Sequence, residues 1–430
     1  MEIGFLIAAI AGLLLLLASG LWISVVLFVV GFGFLHFGIG LPAGPILATS
    51  TWGFANNWTL TALPMFVLMG ELLFRSKLAE ELFMSLSPWV RNLPGGLLHV
   101  NVIGCGVFSA VSGSSTATTA TIGRMTLPRL REAGCDDGLS IGSLAASGTF
   151  GLLVPPSGML IVYAFLTETS IVKLFAAGIL PAIMMMALFS LFLAAASLWR
   201  GDKPRREGER IPFIEKLRLT RHFLPMITLI FVLMLSMYRG WATATEAGAL
   251  GVVGALALLA YSRALTVSAV VEATAAAVRT SCMILFVLAG ASYLSTAVGL
   301  SGLPDDLAAA VGRSGIGPYA LIAVLTLMYV VLGLFLDGLS MIVLTASTVI
   351  PVVNAAGFDP VWFGIYVVLV VEMSLITPPV GLNLFVLQSI AGVDSLTVAR
   401  AALPFFFLML LSIAIILLFP QIVLLLPAAL

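Results

Sequence analysis

Between Glu2 and Glu71 the chain runs for 68 residues without one Asp, Glu, Lys or Arg, and His36 is the only titratable side chain on the way. No water-facing surface is built from such a stretch, because a soluble domain of this length needs a charged and polar shell around its core. The pattern recurs at 138–167, 174–199, 314–336, 338–358 and 401–430, none of which holds a formal charge. A helix crossing a bilayer needs about 20 apolar residues, and these stretches are long enough. They lack the alternation of barrel strands, so the fold class is an all-α polytopic membrane protein. Charged residues make up 9% of the chain, twenty basic against twenty acidic. That excludes a cytosolic enzyme, a disulfide scaffold and a disordered chain, and it leaves no surplus positive charge to meet nucleic-acid phosphates.

Spans are predicted near 4–18, 20–37, 58–75, 138–165, 172–199, 222–238, 243–261, 276–298, 359–390 and 401–427. Residues 1–20 carry Glu2 and no basic start, so they read as membrane span and not as a signal peptide. The polar stretch 200–221 holds eight Lys or Arg and four acids. It reads as a solvated loop and belongs on the cytoplasmic side by the positive-inside rule. Counting five spans backwards puts the N-terminus outside. Seventeen basic residues then fall inside and only Lys173, Arg239 and Arg313 outside, which supports the span count as well as the orientation.

The prolines carry a second order. Pro128 and Pro351, Pro155 and Pro378, Pro156 and Pro379, and Pro181 and Pro404 are each 223 residues apart. The same offset joins Gly134 to Gly357, Asp136 to Asp359 and Gly158 to Gly381. The chain thus reads as two repeats, 1–200 and 222–430, with 201–221 between them. Each half holds an odd number of spans, so the second enters the membrane upside down, the pattern of secondary transporters whose site lies between the halves.

Two kinds of element hold the candidate chemistry. Segment 95–131 has two short apolar arms around SGSSTATT at 112–119, and its partner 316–353 has GLFLDGLS at 333–340. Both read as re-entrant helical hairpins, tolerable at membrane depth only where the tip is buried or lines a cavity. Hydroxyls and freed carbonyls at such a tip suit a hard cation, and the arm that starts there directs N–H groups at an anion. The same small residues also suit close helix packing. Asp337, alone in apolar sequence, reads as a functional carboxylate or a helix cap. The paired prolines break spans 138–165 and 359–390 by removing two N–H donors in a row, freeing carbonyls near Gly148, Leu153 and Val154. Thr377, Asn383 and Glu372 accompany the second break.

The remaining signals are weaker. Glu71, Glu246 and Glu272 lie near span ends and suit snorkelling or pairing. His36, His99 and His222 have no metal spacing, and Cys105, Cys135 and Cys282 form no motif. No phosphate-binding loop is present, and no nucleophile–base pair of an intramembrane enzyme. Stretch 76–93 reads as an amphipathic interfacial brace, with 262–275 as its candidate mate.

With these residues in place, the chain resembles the large membrane subunit of tripartite ATP-independent periplasmic (TRAP) transporters. PMFVLMGELL at 64–73, FSAVSGSSTATTATIG at 108–123, ASGTFGLLVPPSGMLIVYA at 146–164, DPVWFG at 359–364 and ITPPVGLNLFVL at 376–387 carry the likeness. It implies a small four-helix membrane subunit and a periplasmic solute-binding protein as partners. It also implies an inner-membrane location, an elevator-type movement, and sodium as coupling ion with no other cofactor. The solute class it implies is organic acids such as C4-dicarboxylates or sialic acid. One cation site would use Ser112, Ser115 and backbone at Gly148, Val154 and Pro156. The other would use Gly333, Gly338, Met373 and Thr377. The solute would sit near Ser114, Asp337 and Asn383. A stand-alone sodium–dicarboxylate carrier or antiporter of similar architecture is the alternative.

Overall fold

The computed structural model describes residues 11–430 apart from 14, 18, 77, 201–211, 222, 335, 379 and 380. Most of the span predicted at 4–18, most of the basic loop, Lys77, His222 and Pro379 lie outside the described residues. What is described is helical throughout. Five helices are long and apolar enough to cross a membrane, and two bent pairs raise the total to seven. The longest, Val267–Leu300, has 34 residues, roughly 51 Å at 1.5 Å per residue.

Apart from Gly338–Ala355, the helices of the hairpins and broken spans are too short or too polar to cross alone, and they fall where the tips and prolines interrupt the sequence. The first hairpin is Leu98–Ser112 followed by Ser115–Glu132, and the second is Pro318–Gly333 followed by Gly338–Ala355. The first broken helix is Asp137–Ser147, a 3₁₀ turn Gly148–Leu152 and Gly158–Leu166. The second is Pro360–Ser374 and Leu382–Ala391. Capping residues set the starts. Ser114 and Asp337 cap the second hairpin arms, and Asp136 and Asp359 cap the broken helices, each side chain accepting backbone N–H groups that a helix start leaves unpaired. The second arms start at 115 and 338 and end at 132 and 355, so helix boundaries keep the 223-residue spacing of the prolines.

The helices sort into two groups by what they pack on. Ile23–Gly33, Ala43–Ala55, Ala62–Phe74, Leu224–Tyr238, Ala244–Tyr261 and Val267–Leu300 pack on one another. Both hairpins, both broken helices, Ile171–Arg200 and Ser395–Leu418 form the second group. Here Gly142 lets Asp137–Ser147 approach the Ala401 carbonyl too closely for any side chain. Phe150 of the first break stacks on Phe189, which meets Phe405 edge-on, with centroids 5.5 and 5.3 Å apart.

Four expectations need correction. Ala43–Ala55, where no span is predicted, is a helix bent 55° from the next, because its Gly, Pro, Ser and Thr mask an apolar helix. The last span starts at Ser395 and not at 401, capped by Asp394. Residues 267–275 are the first turns of the longest helix, so 262–275 is no separate brace. The mate of Leu78–Val90 at the repeat spacing is Leu303–Ser314, which packs on the second hairpin as Leu78–Val90 packs on the first. The basic stretch is also more than a loop. Its end, Phe213–Thr220, is a helix docked on Leu78–Val90, where the Trp89 indole donates to the Thr220 hydroxyl at 3.0 Å and the Lys216 ammonium lies over the Trp89 ring.

Candidate functional site

At the first tip the chain reverses over two residues, Gly113 and Ser114. Gly113 has φ of +57°, which its missing Cβ permits. The Ser112 hydroxyl bonds the Thr118 hydroxyl at 2.6 Å and lies 3.2 Å from the Ser114 carbonyl oxygen. The Ser114 hydroxyl accepts from the Ala117 N–H at 3.4 Å, so Ser114 is a helix cap. Ser115 opens the second arm, buried, and its carbonyl accepts from Thr119 at 2.9 Å.

The break of the first discontinuous helix lies directly against this tip. A Cβ on Gly151 would stand 2.6–2.8 Å from the Ser114 carbonyl group and the Ser115 nitrogen, and one on Gly148 would overlap the Thr119 side chain. The Pro156 carbonyl faces Gly113. Val154 donates back to Phe150 at 2.9 Å, and the Ser157 hydroxyl takes up the Leu152 carbonyl that the prolines leave without a helical donor. Ser112, Ser115, Gly148 and Pro156 are thus brought to one contact between hairpin and break, together with Thr118, Thr119 and Gly151, which sequence reasoning did not single out, while Val154 bonds within the break, to Phe150.

The second tip repeats the arrangement with other side chains. A Cβ on Gly333 would overlap Ser374, and one on Gly338 would overlap Val371, so both ends of the tip press on the close of Pro360–Ser374. Thr377 donates to the Met373 carbonyl at 2.8 Å, taking up one carbonyl of a helix end that has run out of N–H partners. Asp337 accepts from the Leu339 N–H at 3.2 Å and from the Ser340 hydroxyl. Gly333, Gly338, Met373 and Thr377 therefore lie at one junction. Ser374, whose hydroxyl donates to Val371 at 2.6 Å, is the member that sequence reasoning missed.

Both tips reach one cavity of about 1030 Å³. Its far wall is Phe66, Gly70, Glu71 and Phe74 with the 278–287 face of the longest helix, including Arg279 and Cys282. Ser114 and Asp337 line it. Asn383, expected beside them, does not. It is fully buried, and its amide donates to the Ala145 carbonyl at 3.3 Å between the two broken helices. In this conformation it is a packing residue, because its neighbour Leu382 takes the place on the wall. Glu71 and Glu272 flank Arg75 at 3.9 and 3.3 Å, so these acids pair at the helix ends as expected.

A further group lies behind the first break. Glu372 is fully buried, and its carboxylate faces the Thr149 hydroxyl and the Leu153 N–H without reaching full hydrogen-bond geometry to either. Thr149 and Glu372 are themselves 223 residues apart, so equivalent positions of the two halves meet here.

Comparison with known proteins follows the same lines. Residues 10–422 match the family model described as "Tripartite ATP-independent periplasmic transporter, DctM component". The chain is 30% identical to the C4-dicarboxylate TRAP transporter large permease protein DctM of Pseudomonas aeruginosa, over 89% of each chain. It is 30% identical to the sialic acid TRAP transporter large permease protein SiaM of Vibrio cholerae, over 98% of each. Identity to the ectoine TRAP transporter large permease protein TeaC of Halomonas elongata is also 30%, over 85% of each. Among solved structures, the YdaH transporter of Alcanivorax borkumensis superposes with a TM-score of 0.60 at 14% identity over 88% of each chain, a likeness of fold.

Proposed function

Given that the chain belongs to the tripartite ATP-independent periplasmic transporter family as its DctM component, and is thus a multi-pass permease of the bacterial inner membrane and no enzyme, we propose that it takes up an organic acid on an inward sodium gradient. By family, a DctQ-type small membrane subunit and a periplasmic binding protein work with it. The binding protein hands over the solute. C4-dicarboxylates and sialic acid, named for two relatives, set the class, a carboxylate.

The observation that carries this reading is the pairing of each hairpin tip with the break of a discontinuous helix, both tips sharing one cavity. Sodium is held at the two contacts. The first uses the Ser112 and Ser115 groups with carbonyls at Gly148, Val154 and Pro156, and the second uses Gly333, Gly338, Met373 and Thr377. Hydroxyl and carbonyl oxygens are the donors a hard cation selects. The solute lies between the tips, against Ser114 and Asp337. The 223-residue spacing of helix boundaries supports an inverted repeat, and the division into two packing groups supports an elevator in which hairpins and broken helices move together.

Reconstitution in vesicles with both partner proteins tests the reading. Uptake is expected to need inward sodium and to fail with choline in its place, and Ser115→Ala with Thr377→Ala is expected to raise the sodium concentration for half-maximal uptake. Uptake indifferent to sodium would sink the coupling. Full-rate uptake without the binding protein would favour a stand-alone carrier.

A further inference from the structure

We propose that Arg279 is the anion-docking residue of the far wall of the cavity, the guanidinium that a solute carboxylate meets opposite the hairpin tips. The inference deepens the reading of the chain as a carboxylate carrier and rests on it. Three observations carry it. First, Arg279 lines the cavity that both tips line, and among the described residues it is the only basic side chain in that lining, beside the acids Glu71 and Asp337. Second, the neighbouring charges are engaged. Arg75 lies between Glu71 and Glu272, and Asp337 is held by its own helix start through Leu339 and Ser340. Arg279 enters no ion pair among the described residues, although it stands two turns along the same helix from Glu272. Third, it projects from the unbroken helix Val267–Leu300, which packs on Ile23–Gly33, Ala43–Ala55 and Ala62–Phe74. Its position is therefore fixed by the group of helices opposite the broken ones.

An unengaged guanidinium facing a cavity is a docking point for a carboxylate, which it holds through two parallel N–H···O bonds that an ammonium cannot copy. A solute held at the tips by hydroxyls and helix-start N–H groups then meets positive charge on the opposite wall. The alternative is that Arg279 only anchors its helix toward the cytoplasmic surface by snorkelling, a role that Lys fills as well.

Calorimetric titration of the purified full-length chain in saturating sodium chloride separates the two. The probes are succinate, N-acetylneuraminate and ectoine. Arg279→Gln is expected to weaken the acid that the parent chain binds by about 10–100-fold, the equivalent of one charged hydrogen-bonding contact. Arg279→Lys is expected to restore only part of that loss. Sodium-dependent thermal stabilisation of both variants stays as in the parent and reports that they are folded. Parent-like affinity in Arg279→Gln, or full rescue by Arg279→Lys, overturns the inference and leaves the carrier reading standing. A parent chain that binds none of the three acids overturns the carboxylate reading and the inference with it.

Discussion

A buried carboxyl group without a hydrogen bond of full geometry is the most demanding group among the described residues. Glu372 is fully buried and faces the Thr149 hydroxyl and the Leu153 N–H, both on the 148–153 segment that packs on the first hairpin tip. Those donors are already engaged, Thr149 with the Ala146 carbonyl at 2.7 Å and Leu153 with the Phe150 carbonyl at 3.1 Å, so Leu at 372 strands neither and removes a buried polar group that has no partner of full geometry. Glu372→Leu is therefore expected to be at least as stable as Glu372→Gln, by up to roughly 1–3 kcal/mol for the unpaired polar group removed, measured as thermal unfolding in detergent. A marked loss of stability in Glu372→Leu alone would show that a polar side chain braces the break. Glycine does the opposite work on the facing side. Gly151 meets backbone atoms of Ser114 and Ser115, which cannot turn aside as a side chain can. Gly151→Ala is expected to cost about 1–3 kcal/mol by overpacking and to weaken sodium-dependent stabilisation. A parent-like sodium response in Gly151→Ala would mean that the tip does not need its contact with the break.

At the scale of elements, the breaks were legible because prolines act locally. Pro155 and Pro156 lack N–H groups wherever they stand, so the break could be placed from sequence, although the carbonyl that Ser157 takes up is that of Leu152 and not one of those expected near Gly148, Leu153 and Val154. The tips were legible for a similar reason, since SGSSTATT and the lone Asp337 each interrupt two short apolar arms. What sequence did not show was contact between elements. Thr119 and Ser374 look like ordinary small residues until Gly148 and Gly333 are seen pressed on them, and Asn383 looks like a site residue until its amide is found bonded to Ala145. Ala43–Ala55 was missed because apolar periodicity carries little boundary information where lipid and protein are both apolar. Capping makes two predictions here. Asp359 accepts from the Val361 and Trp362 N–H groups at 2.7 and 3.2 Å, so Asp359→Ala is expected to lower stability by about 1–2 kcal/mol, against little change for Asp359→Asn. Asp394, outside the spans, caps Ser395–Leu418, and bonds from the Thr397 hydroxyl foremost hold its carboxyl below the usual range. A lowered pKa means stabilisation that is complete above the unfolded value near 4 and lost as pH falls through the lower folded value. The melting-temperature gap between the parent chain and Asp394→Ala should therefore close on acidification through that window, and a gap independent of pH would rule out the ionised cap.

For the whole molecule, the two groups of helices and the cavity between them turn a charge count into a direction. Seventeen of twenty basic residues, Arg279 among them, fall on one predicted side, and Arg279 lines the far wall of the cavity. The cavity should then open to the cytoplasm. Cys282 tests this, because it lines the cavity and is the exposed one of the three cysteines, with Cys105 buried and Cys135 half-buried. In a Cys105→Ser, Cys135→Ser background, a membrane-impermeant maleimide is expected to label Cys282 in inside-out vesicles and not in right-side-out ones. Labelling only from the periplasmic side would reverse the predicted orientation and put the wall that carries Arg279 on the periplasmic side. If hairpins and broken helices travel together past Val267–Leu300, solute and sodium supplied to the periplasmic face should slow that labelling, since the tips withdraw from the wall that carries Cys282. A rate unaffected by both would mean that the two groups of helices hold one arrangement through the cycle, and that access changes at the tips alone.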